Sequence, residues 1–247
     1  MKNILTAFLL LTFVFGLEAQ NQMKPVEELI NLQEPAWDFV SQWIKEAKNP
    51  VEVLSCDPIK AREALFHTQV TTRSPMGSIV YSTGGILVDN GWIRIFGSGN
   101  AKLNRSLPDW NKGKSFNQFG ERMSFLLIAD DAIGGLFAIN AGQFSSDNMG
   151  KVYYLAPESL KWESLEQTYS DFLNWSFNGD LELFYQGFRW KNWKAEVSIL
   201  DGNKVFSFFP FLWTTEGKDI ENSSRKAIPM EEHYLFVLDA RKQLGLE

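Results

Sequence analysis

The sequence predicts an α+β fold, with one domain built around a central, mostly antiparallel sheet that helices flank. Three observations predict it. Two apolar strands meet at an Asn-Gly turn, Asn90-Gly91. Two segments on either side of residues 130–135 are apolar on both faces, as central strands are. Amphipathic helical periodicities lie before and after this region, and no repeat or linker divides the 247 residues.

Residues 1–19 have the pattern of a secretory signal peptide. Lys2 gives a short basic start, Ile4 to Leu17 is apolar, and Ala19 precedes a polar run. The apolar run is shorter than the roughly 20 residues that cross a bilayer core. We therefore expect cleavage after Ala19 and an exported domain of residues 20–247, periplasmic or extracellular. The alternative is a buried N-terminal helix.

Residues 25–48 are predicted to form a helix, because Trp37, Val40 and Ile44 recur at spacings of three and four. A second helix is predicted from Asp57-Pro58, where Asp can cap the free amides and Pro can take the first helical position. Ile79 to Tyr81 is predicted to be a short strand.

The clearest local pattern is a β-hairpin from Ile86 to Phe96. Its Asn-Gly turn accepts the positive φ of a tight turn, and both flanks are rich in β-formers. Residues 97–120 are predicted to be a long surface loop. Further strands are predicted at Phe125–Ala129, Leu136–Ile139, Val152–Leu155 and Trp162–Leu165, with a turn at Asp130–Gly135.

Two helices are predicted after the strands. Thr168 and Asp171 have the spacing of a capping box, and Asp180 can cap a second helix that carries Leu181 to Phe188. Residues 214–229 are predicted to be a polar loop, and residues 234–238 a last strand or helix.

Composition excludes several classes of function. The net charge of −6 disfavours nucleic-acid binding, which needs a basic surface. A single cysteine, Cys56, excludes an internal disulfide and a zinc site made of several thiolates. Cys56 is either a buried apolar residue or a reactive thiol. No metal site and no cofactor are predicted.

No catalytic motif is complete. Gly113-Lys114-Ser115 resembles the end of a phosphate-binding loop, but Pro108 stands where the first glycine is required. The only histidines, His67 and His233, accompany no nucleophile motif. Asp130-Asp131 is suited either to acid–base chemistry or to a turn, and the turn is favoured. No catalytic residue is therefore assigned.

The nine tryptophans point to partner binding as one interpretation. Trp190, Trp193 and Trp213 lie among basic residues and could form an aromatic platform for a sugar or a protein, because flat rings give a large contact area at low entropic cost. Arg94 on the hairpin could pair with an acidic partner. Arg94, Trp190 and Trp193 are the predicted partner-binding residues, and packing within the domain is the alternative.

A family resemblance covers about Val26 to Trp213. It is carried by the runs TTRSPMGSIVYSTGGILVDNGWIRIFGSG, FLLIADDAIGGLFAINAG, GKVYYLAPESLKWESL and YSDFLNWSFNGDLELFY. The chain resembles the bacterial family called domain of unknown function 2625, which has no agreed activity to transfer. Its middle part is more weakly similar to the SUKH superfamily. That likeness implies an α+β fold with a central sheet and often a protein-binding role, including immunity proteins that neutralise toxins.

Together these observations predict a non-enzymatic, exported binding domain that engages another protein. The alternative is an envelope carbohydrate-binding protein, or a hydrolase that uses Asp carboxylates such as Asp130 and Asp131.

Overall fold

The structure, a computed structural model, describes residues 23–246. The predicted signal peptide of residues 1–19 lies outside the described residues. None of the helices within residues 23–246 combines the length and the apolar character that a bilayer-spanning helix needs.

A seven-stranded sheet forms the centre of the fold, and all its neighbouring strands pair antiparallel in sequence order. Its strands are β1 (Val51–Leu54), β2 (Gly85–Val88), β3 (Ile93–Phe96), β4 (Phe125–Asp131), β5 (Leu136–Asn140), β6 (Val152–Leu155) and β7 (Trp162–Ser164). A separate two-stranded ribbon consists of β8 (Lys204–Phe209) and β9 (Ser224–Pro229). The predicted α+β fold and its antiparallel sheet are confirmed.

Helices fill the connections and flank the sheet. They are α1 (Val26–Leu29), α2 (Trp37–Lys45), α3 (Pro58–Thr68), α4 (Pro75–Ser82), α5 (Leu107–Asn111), α6 (Tyr169–Asn178), α7 (Leu181–Phe184), α8 (Trp193–Ser198) and α9 (Met230–Gln243), with a short 3₁₀ helix at Glu216–Lys218. The caps follow the predicted chemistry. Asp57 Oδ1 accepts the Ile59 amide at 2.8 Å, and Thr168 and Asp171 form a reciprocal capping box.

The hairpin predicted around Asn90-Gly91 is confirmed. Ile86 pairs with Ile95 across β2 and β3, and Asp89, Asn90 and Gly91 all have positive φ. Gly91 is the residue best suited to this conformation, since it lacks the Cβ that makes positive φ costly.

The pleat of the sheet separates two sets of side chains. Arg94 pairs with Asp130 and Ile93 pairs with Asp131, so the two adjacent aspartates point to opposite faces. On the Asp131 face, Phe137 packs against Phe172 of α6 with ring centroids 5.0 Å apart. The Asp130 face is covered by the segment before α5 and by the β8–β9 ribbon, on which α9 packs.

The first predicted helix is interrupted. Asn31 Oδ1 accepts the amides of Gln33 and Glu34, which turns the chain between α1 and α2.

The strand predicted at Ile79–Tyr81 is wrong, because these residues lie in α4. Ser74 caps α4 by accepting the Gly77 amide, and Pro75 takes its first turn. This Ser-Pro start outweighs the β-propensity of the residues that follow it.

Two segments predicted as loops are more ordered and more buried than expected. Residues 97–120 contain α5, with Leu103, Leu107 and Trp110 in the core. Residues 214–229 end in β9, whose alternating exposure is typical of a ribbon that covers a core. Residues 234–238, which were predicted as a strand or a helix, lie within α9.

His233 fixes α9 against the turn between β4 and β5. Its ring lies so close to Gly134 that a Cβ at that position would come within 2.0 Å of Nε2. Burial lowers the pKa of His233 from 6.5 to about 4, while smaller effects of Asp130 and Arg94 oppose each other. Protonation of this ring is therefore much less favourable in the folded protein than in the unfolded chain.

We predict that His233 makes stability depend on pH. A pKa that is lower in the folded state means that the unfolded chain binds the proton first, so stability falls as the pH drops from about 6.5 to about 4. The loss attributable to His233 is about 3 kcal/mol, from about 1.4 kcal/mol per pKa unit. Urea unfolding at several pH values compares the wild type with His233→Leu. Parallel stability profiles for the two proteins would contradict the assignment.

Candidate functional site

Arg94 and Asp130 form the centre of a buried ionic network. Arg94 Nε donates to Asp130 Oδ1 at 2.6 Å, and Arg105 pairs with the other carboxylate oxygen. The remaining Arg94 donors reach the carbonyl oxygens of Lys204 and Asp131. Burial lowers the pKa of Arg105, and the adjacent Asp130 charge opposes that effect. The network links β3, β4, β8 and the segment before α5.

Asp131 organises the opposite face. Its Oδ2 accepts the hydroxyls of Tyr154 at 2.7 Å and Tyr185 at 3.2 Å, and its Oδ1 accepts the amides of Ile133 and Gly135. Burial raises the pKa of Asp131, whereas the Tyr154 and Gly135 hydrogen bonds lower it. The carboxylate therefore shapes the β4–β5 turn while it anchors two core tyrosines.

These contacts change the interpretation of Arg94, Asp130 and Asp131. The aspartates end β4 rather than lying in the turn, and both are fully buried. Arg94 reaches the floor of a cleft of about 520 Å³, but only 1% of its side chain is exposed. The expectation that Arg94 pairs with an acidic partner is therefore corrected, since Arg94 forms a buried ion pair with Asp130 of the same chain.

The aromatic platform predicted at Trp190 and Trp193 is also corrected, because both side chains are buried. Trp92 packs edge-on against Trp193, with ring centroids 5.0 Å apart, and lies 5.9 Å from Trp190. The Arg189 guanidinium lies 4.1 Å from the Trp193 ring centroid, and Arg225 lies 4.5 Å from that of Trp190. Arg189 and Arg225 therefore stack on these tryptophans within the protein's own fold, whereas Lys191 and Lys194 are exposed.

Trp213 differs from the other two tryptophans of that stretch because it is only half-buried. Its ring stacks on Phe211 at 4.5 Å between centroids, and both rings contact Phe236 of α9. Neighbouring Phe209 is 68% exposed. An aromatic surface therefore exists in this stretch, but on one flank of α9 and not where Trp190 and Trp193 lie.

A cleft of about 710 Å³ on the other flank of α9 is the strongest candidate for a binding site. Among the described residues, its lining has three basic and no acidic side chains: Lys114, Lys161 and Arg241. Lys114 pairs with Glu231 at 2.9 Å, Arg241 binds the carbonyls of Leu160 and Leu246, and Lys161 is exposed. We call it the basic–aromatic cleft.

Half-buried rings form one wall of the basic–aromatic cleft. Phe144 stacks on Trp162 of β7, with centroids 4.4 Å apart, and Phe125 of β4 lies against both. Strand register places Trp162 opposite Leu155, on the same face of the sheet as Arg94 and Asp130. The cleft is therefore the part of this face, at its β7 edge, that the ribbon leaves open.

Sequence reasoning missed this cleft because its residues share no motif. Lys114 follows α5, Lys161 precedes β7 and Arg241 lies in the last turn of α9, so only the fold brings them together. Alternation gives no indication either, because β4 is apolar on both faces and β7 has only three residues. In the described part of the chain, no group of three or more His, Cys, Asp or Glu side chains is arranged to hold a metal ion.

Comparison with known proteins identifies the family. Residues 26–233 match the family described as "Protein of unknown function DUF2625". The chain belongs to this family. A relative from Haemophilus influenzae, described as an uncharacterized protein, is 47% identical over 212 residues, which cover 86% of this chain and 92% of the relative.

A second relative is YbfG of Escherichia coli, described as a putative uncharacterized protein. It is 43% identical over 210 residues, which cover 85% of this chain and 94% of the relative. The resemblance to domain of unknown function 2625 is confirmed by these matches, and the similarity to the SUKH superfamily stays a prediction.

We predict that Asp130→Asn destabilises the fold strongly. The change leaves Arg94 and Arg105 buried without their common counter-charge, and breaking a buried ion pair costs about 3–5 kcal/mol. Urea unfolding at neutral pH measures the loss. Glu34→Gln is the matched control, because the Arg73–Glu34 pair is exposed and screened by water. Equal stabilities for the two variants would show that the buried network contributes little.

Proposed function

We propose that this protein is an exported, non-enzymatic binding protein that engages an acidic segment of another protein in the basic–aromatic cleft. One observation carries the proposal: basic side chains and a partly exposed cluster of rings share one cleft of about 710 Å³. A partner segment with carboxylates beside an apolar side chain complements both features.

Charge supports an acidic partner. The whole chain is acidic, with a net charge of −6, yet the described lining of this cleft contains only basic charges. A local field opposite in sign to the rest of the surface attracts anions to this position and repels them elsewhere. Exposed Lys161 is the basic residue best placed to meet the partner first, because Lys114 already pairs with Glu231.

The rings support an apolar anchor in the partner. Phe125, Phe144 and Trp162 are each half-buried, so they keep apolar area in contact with water while the core holds them in place. Rigid aromatic side chains lose little entropy on binding and are enriched among the residues that dominate interface energies. The rings would bind an apolar side chain of the partner while exposed Lys161 binds a carboxylate beside it.

Burial argues against the hydrolase alternative at Asp130 and Asp131. Their carboxylates are fully buried, face opposite sides of the sheet and are occupied by arginine, tyrosine and amide donors. Acid–base catalysis requires carboxylates that reach the substrate. A carbohydrate ligand is the second candidate, since Trp162 and Phe144 offer rings to a sugar, and the experiment below distinguishes it.

Export rests on the charged, apolar and small-residue pattern of residues 1–19. N-terminal sequencing of the protein from a fractionated bacterium tests it. We expect a first residue of Gln20 in an extracytoplasmic fraction. An intact Met1 in the cytoplasm would contradict this part of the proposal without affecting the cleft.

We predict that a partner protein contacts the cleft in cells. A photo-cross-linking amino acid at exposed Gln143, which lines the cleft, should form an adduct whose cross-linked peptide is acidic. Lys161→Glu should reduce the yield by about tenfold, since reversing one interfacial charge costs on the order of 1.4 kcal/mol or more. Mass spectrometry identifies the adduct.

The control reverses a charge elsewhere. Lys60→Glu makes the same change on exposed α3, outside the cleft, and should leave the yield unchanged. A glycan adduct at Gln143 would support the carbohydrate alternative. An absent adduct, or one that both lysine variants reduce equally, would refute protein binding at this cleft.

A further inference from the structure

A second cleft, lined by other residues than the basic–aromatic cleft, contains two methionines and a histidine. Its volume is about 340 Å³, and its lining includes Met23, His67 and Met123. Met23 precedes α1, His67 lies in the last turn of α3, and Met123 lies just before β4. Three separate segments thus bring two thioethers and one imidazole to the same cleft.

His67 is held with its donor atoms available. Its ring stacks on Phe119, with centroids 3.7 Å apart and planes inclined by only 5°. Among residues 23–246, neither ring nitrogen has a hydrogen-bond partner, and the side chain is half-exposed. A stacked ring is covered on its face, whereas a metal binds an imidazole nitrogen in the plane of the ring, so Phe119 orients His67 without blocking it.

Among the described residues, no charged side chain forms a hydrogen bond or an ion pair with the imidazole. Glu121 Oε2 accepts the amides of Asn117 and Gln118 at 2.8 and 3.0 Å. The Lys112 ammonium lies over the Phe119 ring, 4.8 Å from its centroid. Leu29 and Phe116 supply apolar walls.

We infer that Met23, His67 and Met123 form a binding site for a soft monovalent cation, Cu(I). Thioethers are soft, polarisable donors that select Cu(I) over Zn²⁺ or Mg²⁺, and one imidazole completes a three-coordinate set. Methionine has three rotatable bonds, so its thioether can adjust its position within the cleft. The site is independent of the partner-binding function proposed above.

The test uses Cu(I) supplied as its bicinchoninate complex under anaerobic conditions. The protein carries Cys56→Ser throughout, because a half-buried thiol is a stronger soft ligand and would hide the site. We expect one Cu(I) to be withdrawn from the complex per chain. Met123→Leu and His67→Asn should each raise the dissociation constant by about tenfold or more, since each removes a donor.

Met149→Leu is the matched control, because Met149 is exposed and does not line the cleft. The substitution of methionine by leucine conserves volume, so both methionine variants should fold, and circular dichroism verifies it. Binding that is unchanged in Met123→Leu and His67→Asn would overturn the inference.

A second measurement reads the ligands directly. In protein labelled with ¹³C at the methionine methyl groups, titration with Ag(I), which has the same ligand preference, should shift the Met23 and Met123 resonances together. The Met149 resonance should remain in place. Absent shifts at Met23 and Met123, or an equal shift at Met149, would overturn the site even if some Cu(I) binds.

Discussion

The fold depends on two neighbouring carboxylates that one strand directs to opposite faces of the sheet. Asp130 ties Arg94 and Arg105 beneath the β8–β9 ribbon, and Asp131 ties Tyr154 and Tyr185 beneath the helices. A strand residue cannot serve both faces, because side chains alternate along the pleat. The pair therefore connects both layers to β4, and each buried charge is compensated by donors from a covering segment.

This arrangement also determines where the surface stays open. Asp130 lies on β4, the middle strand of the sheet. The segment before α5 and the β8–β9 ribbon, which the ionic network holds against Asp130, therefore cover the centre of this face. The strands at the two edges extend beyond that cover. Clefts consequently form at both ends of the face, one of about 520 Å³ beside β1 and β2 and one of about 710 Å³ beside β7. Only the second combines basic charges with partly exposed rings.

The sequence predicts turns and helix caps, which depend on neighbouring residues. It does not predict whether a given side chain is buried or exposed in the fold. The Asn90-Gly91 turn and the Thr168–Asp171 capping box require particular residues at fixed spacing, so both were predicted correctly. Arg94 was misjudged because a charged residue in a hairpin looks exposed until its partner is known. That partner, Asp130, lies 36 residues away, and no spacing rule connects the two.

The same limit explains the tryptophans. A basic residue beside an aromatic one has the same sequence pattern whether the pair binds a ligand or stacks internally, as Arg189 does on Trp193. A ring that stacks internally differs from a ring that can bind a ligand in how many other side chains cover it. Trp193 lies beneath other rings and an arginine, while Trp162 lies on a three-residue edge strand with Phe144 on one side. An aromatic side chain on an edge strand keeps part of its area in water, and covering that area with a partner would release free energy.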